Sequence, residues 1–237
     1  MGKVYLVGAG PGDPLLLTIK GRAILGQADV VLYDALVSPG VLAFAHPQAL
    51  QVAVGKQRGQ HSICQSEIND LLIKYAQQAE TVVRLKNGDP MIFGRAGEEI
   101  EALRRAGIPV EVVPGITAGL STGIPLTHRL YSSSVIFVTG HEAIAKTGKP
   151  VNWQGLAHSA DTIVIYMGLH NLAEITQKLI ASGLSPHTPI ALVREATKPE
   201  SARIVSTLGK ICEELAQQEF LPPAIAIVGE VVKFFLL

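Results

Sequence analysis

Net charge is the first thing this sequence of 237 residues lacks: twenty Lys and Arg balance twenty Asp and Glu. Without a global field to gather polyanions, neither nucleic acid nor an anionic membrane is expected as a partner. Any anionic ligand must be held by local placement of Arg and Lys. Cysteine is scarce as well. Cys64 and Cys212 lie far apart with no metal-ligand spacing, and they read as reduced thiols in a cytoplasmic protein. The seven histidines are scattered without i,i+4 pairs or a Cys/His cluster, so no metal site is expected. No uninterrupted run of apolar residues approaches the length of a membrane span. No charged segment precedes a separate apolar stretch at the N-terminus, so no signal peptide is expected. A Gly-x-Ser-x-Gly elbow, a Walker lysine-serine pair, a fixed-period repeat and a low-complexity segment are all missing.

What is present is a chain 48% hydrophobic and 17% charged, with 23 Gly and 14 Pro grouped in short runs between apolar segments. Short β-branched runs alternate with stretches of helical period, the pattern of an α/β protein. Strands are predicted near Val4–Val7, Val30–Tyr33, Gln51–Val54, Thr81–Leu85 and Val110–Val113, with helices near Leu16–Gly26, Gln65–Gln78 and Gly97–Ala106. Ile68, Leu71, Leu72 and Tyr75 fall at i, i+3, i+4 and i+7 on one helical face. Ser66 is a candidate N-cap, and Ser38-Pro39 gives a cap followed by proline. A second series has strands near Val135–Thr139, Thr162–Tyr166, Ile190–Val193, Ser201–Thr207 and Ala224–Val228, with helices near Leu172–Ala181 and Lys210–Gln218. Val113-Pro114-Gly115 separates the two series, which gives expected domains 1–115 and 116–237. Glu142–Gln154 is polar and reads as a loop. The apolar tail Phe234-Phe235-Leu236-Leu237 is expected to pack against the core or a second subunit.

Five runs could carry chemistry. Gly8-Ala9-Gly10-Pro11-Gly12-Asp13 follows a strand, but Asp13 stands where a dinucleotide fingerprint needs glycine and Pro11 removes a donor. It reads as a tight turn that lets a ligand approach the backbone. Asp34, in Tyr33-Asp34-Ala35-Leu36-Val37-Ser38-Pro39, ends an apolar strand where α/β sheets place ligands. It is either a turn or cap acid, or a general base whose pKa the apolar strand would set. In Gly55-Lys56-Gln57-Arg58-Gly59 two cations form either a solvated turn or a receiver for substrate carboxylates. Arg84-Leu85-Lys86-Asn87-Gly88-Asp89-Pro90 continues through Ile92 to Arg95. Pro90 pushes Asp89 to extended geometry, so that its carbonyl and neighbours point outward. Arg95, at a helix start, opposes the macrodipole and calls for an anionic partner: Glu98, Glu99 or a substrate. Val112-Val113-Pro114-Gly115-Ile116-Thr117-Ala118-Gly119 is either a hinge or a surface small enough for adenine to lie against.

Together with Pro125-Leu126-Thr127-His128-Arg129 and Pro223-Ala224-Ile225-Ala226-Ile227-Val228-Gly229, these runs resemble the tetrapyrrole methylase family over nearly the whole chain. The resemblance implies a fold of two α/β domains, an S-adenosylmethionine cofactor in the cleft between them, and a homodimer. By it, Pro11, Asn87, Gly88, Asp89, Ile92, Thr117, Ala118, Met167 and Ala196 bind S-adenosylmethionine. It also implies that Asp34 is the proton acceptor, Lys56 the proton donor and Arg95 a substrate-binding residue. Two positions depart from the family pattern. Asn87 replaces a second glycine, which a left-handed turn tolerates. Glu195-Ala196-Thr197 replaces a Glu-Asn-Gly-Thr-like turn.

The activity so implied is methylation of uroporphyrinogen III at C-2 and C-7, through precorrin-1 to precorrin-2, for sirohaem and cobalamin. S-adenosylhomocysteine would be the co-product. A methyl sulfonium is already a strong electrophile, so the protein's task is alignment and proton removal, with no metal. The eight substrate carboxylates would meet Lys56, Arg58, Arg95 and Arg129. The rival readings are a later corrin-ring, diphthine-forming or ribosomal RNA methylase, or a non-catalytic nucleotide-binding module built on Gly8–Gly12.

Overall fold

The computed structural model describes residues 2–55, 63–142 and 149–236. The chain divides into two compact units, Met1–Ala118 and Gly119–Leu237.

In the first unit, β1 (Lys3–Gly8), β2 (Val30–Tyr33), β3 (Leu50–Ala53), β4 (Thr81–Lys86) and β5 (Val110–Val113) form a sheet of order β3-β2-β4-β1-β5. All four pairings are parallel. A parallel sheet is covered on both faces, which is why these strands read as apolar runs and not as alternations. Val4, Leu6, Val30, Leu32 and Val82 pack against Ile68, Leu72 and Ala76 of α3 (Gln65–Gln78) and Ala96 and Leu103 of α4 (Ala96–Arg105). Val7, Val31, Val83 and Leu85 face the other way, toward Leu25 of α1 (Ile19–Leu25) and Val41 of the short α2 (Pro39–Leu42).

Two helix starts differ from expectation. The first helix begins at Ile19 and not near Leu16, because Asp13 caps a separate 3-10 turn over Pro14–Leu16. Thr18 Oγ1 then accepts from the Gly21 N–H at 3.0 Å and starts α1. Helix α3 is capped by Cys64, not Ser66. Glu67 stands three residues beyond Cys64, and its carboxylate reaches back to the Cys64 N–H at 2.6 Å, the reciprocal arrangement of a capping box.

In the second unit, β6 (Val135–Thr139), β7 (Thr162–Tyr166), β8 (Pro189–Arg194), β9 (Ala202–Thr207) and β10 (Ala224–Val228) form a sheet of order β6-β7-β10-β8-β9. Only β6–β7 is parallel; the other three pairings are antiparallel. Its core joins Ile163, Ile165, Leu192 and Ala226 to Leu172, Ile175 and Leu179 of α6 (Leu172–Ala181) and Ile211 of α7 (Ile211–Ala216). The expected loop over Glu142–Gln154 gives way at its end to α5 (Trp153–Ser159), which Asn152 caps by accepting from the Gly155 N–H. Residues 143–148 of that expectation lie outside the described residues. The tail forms a 3-10 segment, Glu230–Leu236, in which Phe234 stacks on His128 with ring centroids 4.4 Å apart.

Candidate functional site

Because every strand of the first sheet is parallel, the segments leaving β1, β2, β4 and β5 emerge along one edge, where open α/β sheets receive ligands. The segment after β1 and the segment after β4 are laced together: Gly88 N–H donates to Gly10 O at 2.8 Å, and Gly10 N–H donates to Gly88 O at 3.2 Å. Both glycines have positive φ, +73° and +70°. The segment after β5 closes in from the other side. A Cβ on Gly8 would stand 2.5 Å from Gly115 N and 2.7 Å from Gly88 O, while Thr117 Cα and Ala118 N lie 3.7 Å from a Cβ on Gly88. Three main chains thus meet where side chains have no room. Of the expected cofactor residues, Pro11, Asn87, Gly88, Asp89, Ile92, Thr117 and Ala118 all belong to these three segments.

The Asp89 side chain has a structural task of its own. Its carboxylate is spent within the unit, with Oδ1 accepting from Met91 N–H at 2.8 Å and Oδ2 from Gly115 N–H at 3.0 Å. The side chain therefore fastens the β4 segment to the β5 segment. The main chain is the part of this residue expected to meet a ligand. Asp13 is likewise a cap, accepting from Leu15 N–H at 2.8 Å.

Asp34 leaves the end of β2, the neighbour of β4 in the sheet, and its N–H donates to Leu85 O at 3.2 Å. The expected apolar setting is incorrect. Its Oδ1 meets Nη2 of Arg84, and its side chain is 30% exposed while that of Arg84 is 2% exposed. Arg84 stands opposite Leu32 in the register and so points to the face covered by α3 and α4. There its Nε donates to Glu99 Oε1 at 3.0 Å, joined by Lys86 Nζ at 2.9 Å and Gln65 Nε2 at 3.2 Å. Burial pulls the Arg84 pKa down, but the carboxylates of Asp34 and Glu99 outweigh it and leave the group raised. Lys86 has the opposite balance: burial first, and then the adjacent Arg84, holds its ammonium below the ordinary lysine value.

Arg84 and Lys86 were assigned no role from sequence, and Glu99 was offered only as a possible partner of Arg95. A signal was present in two places. Arg84 and Lys86 sit at i and i+2 of a strand and so share a face. Glu99 falls with Ala96 and Leu103 on the buried stripe of α4.

Arg95 is the N-cap residue of α4, held at φ +57°. Its anionic partner is Glu98, reached through Nε and Nη2 at 2.7 Å each. That hydrogen bond, with the charges behind it, raises the Arg95 pKa and lowers that of Glu98. Arg129 is exposed. Lys56 and Arg58 lie outside the described residues.

In the second unit, β7 and β8 both run antiparallel to β10 and hence parallel to each other. Met167, after β7, and Glu195-Ala196-Thr197, after β8, therefore emerge at one end of the sheet, flanking the start of β10 where Ala224 pairs with Arg194 and Ile225 with Tyr166. Met167, Glu195 and Thr197 have φ of +54°, +49° and +74°. Met167 is 52% exposed. Among the described residues, no group of three or more His, Cys, Asp or Glu is arranged to hold a metal ion, and no helix is long and apolar enough to cross a membrane.

Comparison with known proteins agrees with this arrangement. The profile of the tetrapyrrole (corrin/porphyrin) methylases matches residues 3–212. A uroporphyrinogen-III C-methyltransferase of Synechocystis sp. is 53% identical, over 99% of this chain and 90% of that protein. A siroheme synthase of Acinetobacter baylyi is 52% identical over 98% of this chain, which spans only 51% of that longer protein. Among solved structures, a uroporphyrin-III C-methyl transferase from Thermus thermophilus, complexed with S-adenyl homocysteine, superposes with a TM-score of 0.86. It shares 44% identity and covers 98% of this chain and 100% of its own. With the profile matching most of its length and such relatives aligned nearly end to end, the chain belongs to the tetrapyrrole methylase family.

Proposed function

We propose that this protein is an S-adenosylmethionine-dependent C-methyltransferase that methylates uroporphyrinogen III at C-2 and C-7, giving precorrin-2 by way of precorrin-1, for sirohaem or cobalamin synthesis. The observation that carries this reading is the placement of a carboxylate, Asp34, on the same sheet edge as the Gly8, Gly10, Gly88 and Thr117-Ala118 backbone cluster. The 53% identity to a uroporphyrinogen-III C-methyltransferase supports the choice of acceptor.

The residues fit the methyl donor. Glycine and small side chains let a ribose and a flat base lie against main chain in the first unit. Met167 of the second unit offers a soft, half-exposed thioether at a strand end. When bound, S-adenosylmethionine supplies an electrophilic methyl group. The remaining work is done by the chain. Gly88, Asp89 and Ile92, with Pro11, Asn87, Thr117, Ala118, Met167 and Ala196, hold and orient the donor. Asp34 accepts the proton that the macrocycle must lose, and Lys56 is assigned as the donor. Arg95 receives a substrate carboxylate, and Arg58 and Arg129 are further candidates for that role.

The exposed side chains Leu120, Leu130 and Tyr131 of the second unit support assembly as a homodimer. Two cysteines without a disulfide, Cys64 and Cys212, suit a cytoplasmic enzyme whose partner is a small tetrapyrrole and not a nucleic acid or a membrane.

The test is to incubate the protein with uroporphyrinogen III and methyl-labelled S-adenosylmethionine and count methyl groups per macrocycle. Two are expected; one or none assigns the protein to another acceptor. Asp34→Ala should lose about 10²- to 10⁴-fold in turnover, the usual contribution of a positioned base, while still binding S-adenosylhomocysteine. Wild-type turnover in that variant would remove Asp34 from the role.

A further inference from the structure

Behind Asp34 runs a buried chain of charge that the methyl-transfer reading has not yet used. Glu99 is wholly buried, and its Oε1 gathers Arg84 Nε, Lys86 Nζ and Gln65 Nε2 within 3.2 Å. Its Oε2 has no hydrogen-bond partner among the described residues. Arg84 is used at every nitrogen: Nε on Glu99, Nη1 on the carbonyls of Leu32 and Leu85 at 3.5 and 3.3 Å, and Nη2 on Asp34 Oδ1. Of the four charged groups, Asp34 alone reaches solvent to any extent.

Stability does not account for this chain. Desolvating two cations and a carboxylate costs more than their pairing returns, and apolar residues of similar volume would fill the space at least as well. An acceptor left unsatisfied in the interior adds to the cost. What the arrangement does provide is direction. A guanidinium is a rigid plane, and one fixed by a buried carboxylate and two strand carbonyls leaves Nη2 a single heading. Asp34 Oδ1 is pinned by that nitrogen, which leaves Oδ2 as the oxygen to take a proton. When Oδ2 takes that proton Asp34 becomes neutral, and Glu99, which Lys86 shares, still holds Arg84 through Nε. The guanidinium then has no reason to swing away between the two methylations.

From this geometry we infer that Glu99 is a positioning residue of the methyl-transfer reaction: through the guanidinium of Arg84 it fixes the Asp34 carboxylate at the sheet edge. The inference rests on Asp34 being the base. Glu99 touches no substrate.

Glu99→Gln keeps the shape and one acceptor oxygen but removes the charge. It is expected to lower kcat by at least about tenfold, as misplacement of a reacting group does, with KM for S-adenosylmethionine within about twofold of wild type. Glu99→Asp, which restores the charge one methylene short, should recover part of the loss. In an Asp34→Asn background, adding Glu99→Gln should change the residual rate by less than about twofold, because the group it acts through is gone. Should Glu99→Gln fail to fold, Arg84→Lys keeps every charge but cannot reach Asp34 and Glu99 together, and the same loss of kcat at constant KM is expected of it. A Glu99→Gln enzyme with wild-type kcat beside a nearly inactive Asp34→Asn overturns the positioning role and leaves the base assignment standing. An Asp34→Asn enzyme with wild-type kcat removes the base, and the positioning role with it. A Glu99→Gln loss undiminished in the Asp34→Asn background overturns the positioning role alone.

Discussion

Five non-glycine residues of the described chain have positive φ: Phe93, Arg95, Met167, Glu195 and Thr197. Each such backbone costs on the order of 1–3 kcal/mol and persists where surrounding structure over-determines it. All five lie in segments that leave β4, β7 or β8, the same segments that carry the proposed ligand contacts. Arg95 combines this strain with a side chain exposed enough to meet a ligand and, among the described residues, tethered to Glu98. Arg95→Ala should therefore raise KM for uroporphyrinogen III about tenfold or more, the worth of one charge-assisted hydrogen bond. Turnover and calorimetric affinity for S-adenosylhomocysteine should stay near wild type. A fall in kcat at unchanged KM would take Arg95 out of substrate binding. At this scale, the anionic partner of Arg95 was among those the sequence offered, because Glu98 lies three residues along one helix. The partner of Asp34 was not legible. Arg84 is fifty residues away, and only strand order brings β2 beside β4.

At the scale of elements, the strands were readable because burial on both faces leaves uninterrupted β-branched runs, as in Val30–Tyr33 and Thr162–Tyr166. Helix ends and short helices were less so. The four-residue α2 is too brief for a period to register. In α5, Gly155 weakens the helical signal and the polar approach through Pro150 reads as loop. Caps depend on which oxygen reaches which N–H, and Cys64 over Ser66 was decided by the position of Glu67. Glycines divide by element in the same way. Gly8 and Gly115 sit where main chains from β1, β4 and β5 meet, and a methyl group on either would collide with backbone that cannot yield. Gly97, inside α4, has nothing within 4 Å of an added Cβ. Gly8→Ala should therefore weaken S-adenosylhomocysteine binding by at least about tenfold and lower the melting temperature. Gly97→Ala should raise stability by about 0.5–1 kcal/mol and leave binding unchanged. Calorimetry and denaturant unfolding of the two variants side by side would decide it: equal losses in both would mean that the close approach at Gly8 has no special part in the site.

On the scale of the whole molecule, each unit carries a carboxylate, half-buried Glu111 or exposed Asp161, that is held ionised by its surroundings. In the first unit Glu111 receives Lys20 and Lys3, which lower its pKa from 4.5 to about 2. In the second, Asp161 Oδ2 accepts from the N–H groups of Ser133 and Ser134 and from Ser134 Oγ, which lowers its pKa and pins the start of β7 beside the approach to β6. A carboxylate with a folded pKa below its unfolded value takes up fewer protons than the unfolded chain in the interval between the two. Stability therefore rises with pH across that interval. The contribution is complete above the unfolded value and is lost as pH falls through the folded one. Stability should accordingly decline from about pH 4.5 toward pH 2 in the first unit, through Glu111, and as pH falls below 3.8, the ordinary value of Asp161, in the second. Asp161 is exposed and Glu111 is close to a third exposed, so the effect is a direction and not a large free energy. Urea unfolding at intervals between pH 2 and pH 6 measures it. Glu111→Gln and Asp161→Asn should each flatten the decline. Added salt should screen the Glu111 ion pairs while sparing the directional hydrogen bonds on Asp161. A decline equally steep in both variants would place the acid sensitivity elsewhere.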